Sequence, residues 1–387
     1  MPDSFGQFRL YPTKPTRIPD IGHELADACD IRANSNPHRP AASRSIPDIV
    51  APCINVSAFR LQYWHWNQGD KKSKGARESL VQDVISAPDF VPSDVTGLDW
   101  HRMDDTLASV TLDTPTGWDS KPLPLKIPPR NPAAAADFAS NPERSTLLVP
   151  SFRYRSLVST VIDAFSNNHT GSFHYLPYTA KCKDPLTSKM YPTYGEVYES
   201  QRMRDAYEAI QKIKLDEPCL LPRCPAMMML FSDATQLANF GRATAWPIRV
   251  AFGNQSKYER CKANSRNHYE VGFIPSVSIA QFYSSYHSVL IFIKLPADLQ
   301  EKLRDVRDGR PIPKPLLTHL RRELVHEVWN TLLDDEFLQA WRHGVVIRCA
   351  DGITRRVFPR IFSYSADYIE KYVQNLLARL YFKLTVL

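Results

Sequence analysis

The sequence predicts an α/β protein. A mixed sheet with a helical insertion occupies its C-terminal half, preceded by a mainly helical region and an extended, unfolded arm. Three observations lead there. Apolar runs of strand length recur at 225–231, 246–253, 288–295, 345–349 and 356–364, each bounded by polar or turn residues. Residues 315–343 carry Leu320, Leu324, Val328, Leu332 and Trp341 at helical spacing, the pattern of an amphipathic helix or two. Proline outnumbers glycine, 31 to 14 in 387 residues, inverting ordinary usage and favouring stiff, extended connections over glycine-rich phosphate loops.

Residues 1–50 are rich in Pro, Arg, Ser, Asn and Asp without periodicity, the texture of a disordered arm. Residues 51–215 read as mainly helical. Ala58–Trp66 is a short amphipathic helix, and Leu80, Val81, Val84 and Ile85 share a stripe that Pro88 stops. The stretch 100–146, with Pro122, Pro124, Pro128 and Pro129, reads as a Pro-rich linker. Ser156–Phe165 and Gly195–Lys214 are helices, the second with Met203, Tyr207, Ile210 and Ile213 near one face. The core follows at 216–368. Gly344 sits where a helix C-cap glycine belongs, and Asp351-Gly352 turns one apolar run into the next as a hairpin. Residues 369–387 form a divergent tail.

The net charge of +7 admits a polyanionic partner without requiring one. Seven scattered cysteines make no disulfide framework and favour a reducing compartment. The N-terminus has no secretory leader, and no apolar stretch is long enough to span a bilayer, so a soluble, intracellular protein without membrane partners is expected.

Two apolar runs end in a carboxylate: Met227–Ser232 before Asp233, and Val357–Ala366 before Asp367. On neighbouring strands the two acids converge at one sheet edge, where hard oxygen ligands suit Mg²⁺ and phosphodiester cleavage. The alternative is that each Asp merely ends a strand and caps the next segment.

Longer motifs bear on that choice. Phe231-Ser232-Asp233-Ala234-Thr235-Gln236-Leu237-Ala238-Asn239-Phe240-Gly241, Trp246-Pro247-Ile248 and Phe252–Arg260 form one block. Phe273-Ile274-Pro275-Ser276, Arg321–Leu324 with Leu332–Phe337, and Gly344–Arg348 with Asp351-Gly352 and Arg355–Asp367 form three more. In these blocks, densest over 226–370, the chain resembles the Plavaka-type transposases of fungal genomes, related to the Kyakuja-Dileera-Zisupton group. The resemblance implies an RNase H-like core of the DDE/D type, with Asp233 on the first strand and Asp367 after the fourth as catalytic and metal-binding residues. It implies Mg²⁺ or Mn²⁺ as cofactor, DNA transposon ends as partner, a nuclear location, and strand cleavage and transfer as activity; it leaves homo-oligomer formation open. The chain departs from the family at Ile369, where a proline is expected, and at Asn267-His268, where the family has paired histidines. It ends at Leu387, before the family's Cys-rich segment and third acid, and Glu370 is too close to Asp367 to stand in for that acid. The expectation is therefore a truncated, inactive transposase; the alternative is a non-catalytic DNA-binding or interaction protein derived from one.

Candidate phosphate contacts are Arg355, Arg356 and Arg360 on the hairpin leading to Asp367, with Lys257, Lys71 and Lys72. Cys219 and Cys224 read as unpaired thiols rather than half a zinc site. His319, Glu323, His326 and Glu327 read as a solvated helix face. Trp64, Trp66 and Trp246 read as core anchors.

Overall fold

A computed structural model describes residues 6–19, 50–51, 53–67, 74–109, 117–167, 172–184, 186–215, 219–233, 235–236, 244–261, 267–275, 301, 303–304, 306 and 309–366. The chain divides into two units, one of residues 32–116 and 236–243, the other of 1–31, 117–235 and 244–387.

The smaller unit holds helices α1 (Val56–Asn67), α2 (Lys74–Ser79) and α3 (Trp100–Ser109). Val50, Ala58, Ala76, Val84 and Met103 are its buried apolar residues among those described. Trp64 donates its indole N–H to the Ala76 carbonyl at 3.0 Å, and Arg60 pairs with Asp89 at 2.7 Å. The expected stripe Leu80–Val81–Val84–Ile85 is not realised. Leu80–Ile85 forms a π-helical turn in which only Val84 is buried, while Val81 and Ile85 are exposed. The i→i+5 bonding of that turn carries those residues off an α-helical stripe.

The larger unit is built on a seven-stranded mixed sheet of order β11-β12-β6-β9-β10-β3-β2. Its strands are β2 (Trp118–Lys126), β3 (Thr146–Arg155), β6 (Arg223–Ser232), β9 (Pro247–Phe252), β10 (Tyr269–Phe273), β11 (Val345–Arg348) and β12 (Thr354–Ser365). A separate sheet, order β1-β4-β5, joins β1 (Gln7–Leu10), β4 (Thr179–Lys183) and β5 (Met190–Pro192). Two-residue strands β7 (Thr235–Gln236) and β8 (Thr244–Ala245) lie between β6 and β9 in sequence. In the large sheet β12 runs parallel to β6, and every other pairing is antiparallel.

Strand β6 is apolar on both faces because both are covered, as a buried strand requires. Ala226, Met228 and Leu230 enter the main core; Met227 belongs to a second, smaller core, against which Met229 packs. The main core is closed by α5 (Leu157–Ser166), α8 (Lys314–Leu332) and α9 (Asp335–His343), the second by α6 (Gln201–Lys212). Caps set the helix starts: Ser156, Ser200 and Asp334 each accept a backbone N–H of the first turn. The Asp334 cap divides 314–343 into two helices. Gly344 then turns the chain at φ 69° and ψ 161°, and a Cβ there would lie 2.7 Å from Arg356 Cγ and 2.9 Å from the Phe358 ring. Only glycine occupies that backbone region without strain.

The expected strands at 225–231, 246–253, 345–349 and 356–364 are all present, with bounds shifted by one or two residues; 288–295 lies outside the described residues. The stretch expected to be a Pro-rich linker differs. It supplies α3, β2 and α4 (Pro132–Ser140), and with β3 gives the large sheet two strands from the region read as mainly helical. Strand β2 is at the sheet edge, where Pro122 and Pro124 cost no ladder partner while Leu123 and Leu125 are fully buried. Residues 7–10, expected in an unfolded arm, form β1 through pairing with β4.

Candidate functional site

The C-terminal end of β6 carries the first candidate acid. Phe231 and Ser232 close the strand and Asp233 follows, exposed to solvent. Ser365 of β12 stands opposite Phe231 in the parallel register. Asp233 lies two residues beyond Phe231 in sequence, and Asp367 two beyond Ser365. Asp367 itself lies outside the described residues.

The two strand ends are tied on one face by a hydrogen bond of 2.8 Å between the Ser232 and Tyr364 hydroxyls. Trp329 of α8 packs its ring edgewise on Tyr364, centroids 5.0 Å apart. The sequence gives no sign of this contact, because Ser232 and Tyr364 are joined only by the parallel pairing of strands far apart in the chain. Nearby, Arg249 lies 5.9 Å over the Phe231 ring and is paired at 3.1 Å with Glu270. The His268 ring meets Phe231 edge-on at 5.8 Å. Partial burial, then the charges of Arg249 and Arg260, lower the His268 pKa, so this imidazole is neutral near pH 7.

The hairpin arginines are placed otherwise than expected. Arg355 and Arg356 stand at the start of β12, the end away from Asp367 in sequence. Arg355 is 3% exposed and donates two 2.7 Å hydrogen bonds to the Asp351 carboxylate, with its guanidinium 3.7 Å from the Tyr175 ring centroid. It is a packed ion pair. Arg356 donates to the His343 carbonyl at 2.9 Å and to the Cys219 thiol at 3.4 Å. Arg360 donates to the Trp341 carbonyl and lies 4.5 Å over that indole; burial pushes its pKa down to about 10. Lys257 is exposed at the first turn of α7 (Lys257–Arg260), its ammonium 5.3 Å from the Tyr258 ring centroid. Lys71 and Lys72 lie outside the described residues.

The Phe252–Arg260 motif has a structural task. Asn254 is fully buried, donates to the His174 and Pro225 carbonyls at 3.0 and 2.9 Å, and accepts from the Met227 N–H at 2.8 Å. Gln255 bridges Ser172 and Asn267, and Ser256 caps α7. This network ties the turn after β9 to β6, which accounts for the motif without a ligand.

Asp233 has the oxygen donors that Mg²⁺ or Mn²⁺ takes. One carboxylate does not make an ion site, and among the described residues no three His, Cys, Asp or Glu side chains cluster in ligand geometry. Glu323 Oε1 lies 3.3 Å from His326 Nδ1 along α8. Cys219 and Cys224 are free thiols. Among the described residues no helix is long and apolar enough to cross a membrane. Comparison with protein-family models, with curated proteins and with solved structures returned no match.

Proposed function

We propose that this chain is derived from a DNA transposase and that its large sheet is an RNase H-like core of the DDE/D type. One observation carries the reading: β6 has the antiparallel pair β9–β10 on one side and the parallel strand β12 on the other, and an exposed Asp233 follows it directly. The resemblance puts the first acid at the first strand and the second after the fourth, and β6 and β12 end side by side in parallel register. An acid at the carboxyl end of such a strand sits where ligands of open α/β sheets bind. In this reading Asp233 is the first catalytic acid and Asp367 the second, DNA is the partner, the nucleus is the location, and homo-oligomer formation at paired DNA ends remains part of the proposal. A divalent ion between two such acids supplies activation of water and stabilisation of a leaving 3′ oxygen. The contribution of the chain's own residues is positional: the Ser232–Tyr364 hydrogen bond and the Trp329 ring hold the strand end that presents Asp233.

The test uses the purified full chain, a nicked or branched duplex and Mn²⁺, with Asp233→Ala as control. Because Asp233 is exposed, its loss leaves the fold intact. Mn²⁺-dependent cleavage that disappears in Asp233→Ala supports the reading. Cleavage no higher than the control, with salt-dependent DNA binding retained, replaces it with a non-catalytic DNA-binding derivative; loss of both activities rejects transposase chemistry altogether.

A further inference from the structure

At the opposite end of β6 a cleft opens. Strand β6 is ten residues long, so about 30 Å of strand separates this cleft from Asp233. Its volume is ≈ 480 Å³, within the range of small-ligand pockets. One wall is the segment after β1, contributing Lys14 and Arg17; the other is the lead into β6, contributing Cys219 and Arg223; Tyr207 of α6 and Arg355 complete it.

Three features define its chemistry. Among the described residues its lining contains four cationic side chains, Lys14, Arg17, Arg223 and Arg355, and no carboxylate. Asp351 neutralises Arg355, whereas Lys14 and Arg17 are exposed and have no carboxylate partner among the described residues. Arg223 spends its Nη1 on the carbonyls of Ile210, Gln211 and Ile213 and keeps its charge. Second, the wall favours the ionised form of an acid it contains. The Arg356 hydrogen bond, the Leu221 N–H and the charges of Arg356 and Arg223 pull the Cys219 thiol below its ordinary pKa. Third, three tyrosines line the same space, Tyr11, Tyr175 and Tyr207, with one face of Tyr175 already covered by Arg355.

We infer that this cleft binds a phosphorylated ligand of nucleotide size, its phosphate on Lys14, Arg17 and Arg223 and its ring against the tyrosines. The ligand is a mononucleotide, either free or as one unit of a single strand. Cations without a compensating acid favour a phosphate, and tyrosine faces accept any base by stacking. The site is independent of Asp233, so either proposal survives failure of the other.

Cys219 reports occupancy. The full-length protein is alkylated with iodoacetamide and each cysteine peptide is followed by mass spectrometry, with AMP, an eight-nucleotide thymidylate strand or inorganic phosphate as competitor. The expected result is saturable protection of Cys219 by AMP, by the strand, or by both. Protection by both assigns the site to the nucleotide unit itself, and protection by the strand alone assigns it to a nucleic-acid strand. The Lys14→Ala/Arg17→Ala variant alters only exposed side chains. It should melt as the parent does, keep the ligand-free alkylation rate, and raise the half-protecting concentration at least about tenfold, as loss of charged hydrogen bonds implies. No protection by AMP or strand, unchanged protection in the double variant, or equal protection by inorganic phosphate overturns the inference.

Discussion

Replacing Asp351 with Asn isolates the energetics of the most buried ion pair described in the sheet unit. Asp351 and Arg355 side chains are 7% and 4% exposed, and two hydrogen bonds of 2.7 Å join them. The Asn variant keeps the shape and leaves the guanidinium buried with one of its two hydrogen bonds to residue 351, its bond to Thr16 and none of its counter-charge. Removing one partner of such a pair costs about 3–5 kcal/mol. Removing both charges with Asp351→Ala/Arg355→Met should recover more than half of that loss, because an uncompensated charge is what makes the single change expensive. Urea unfolding followed by tryptophan fluorescence measures both variants. The pH dependence has a definite sign. Burial pushes the Asp351 carboxyl up, but hydrogen bonds and charge from Arg355 and backbone N–H donors outweigh it, and the folded-state pKa is lowered. A depressed folded pKa contributes stability that is full above the unfolded carboxylate value and is lost as pH falls through the folded one. The gap between wild type and Asp351→Asn should therefore hold from about pH 8 to about pH 5 and close below about pH 4. A variant within about 0.5 kcal/mol of wild type at pH 7, or a gap that persists in acid, refutes the argument.

Two further substitutions test the frame around the candidate site. Gly344→Ala combines a glycine-only backbone conformation with a Cβ 2.7 Å from Arg356 Cγ. It should cost at least about 2 kcal/mol in urea unfolding, and an unchanged midpoint would show that the α9–β11 turn relaxes freely. Asn254→Ala strips partners from the Met227 N–H and from the His174 and Pro225 carbonyls in a fully buried turn. About 1–3 kcal/mol of destabilisation is expected, together with faster amide exchange at Met227; wild-type exchange there would remove the network's assigned role.

Much of the fold was legible where local and tertiary preferences agree. Strand β6 announces itself by Pro225–Phe231, apolar without alternation because α6 and the smaller core cover one face and the main core the other. The hairpin was readable from Asp351-Gly352, and the end of α9 from Gly344. Strand β2 was not legible: Pro122 and Pro124 argue against a strand unless it lies at an edge, and edge position is a property of the assembled sheet. The π-turn at Leu80–Ile85 was hidden for a related reason, since its apolar spacing fits an α-helix equally well.

The site divides along the same line. Asp233 was identifiable because the end of an apolar run fixes the end of a strand. The packing of the arginines was not legible, because charge alone does not tell a solvated cation from a packed one. The sequence shows Arg355 four residues from Asp351, but only the hairpin folds the pair inward, onto Tyr175, an aromatic ring from a remote segment. Lys14 and Arg17 are the converse case. They lie in a stretch whose composition reads as disordered, and they gain meaning only because β1 pairs with β4 and brings them beside Cys219 and Arg223. Sequence locates groups that chain geometry alone positions, as strand ends do; it misses those positioned by contacts between remote segments. The proposed acid at one end of β6 is of the first kind and the cationic cleft at the other end is of the second, so the two call for separate experiments.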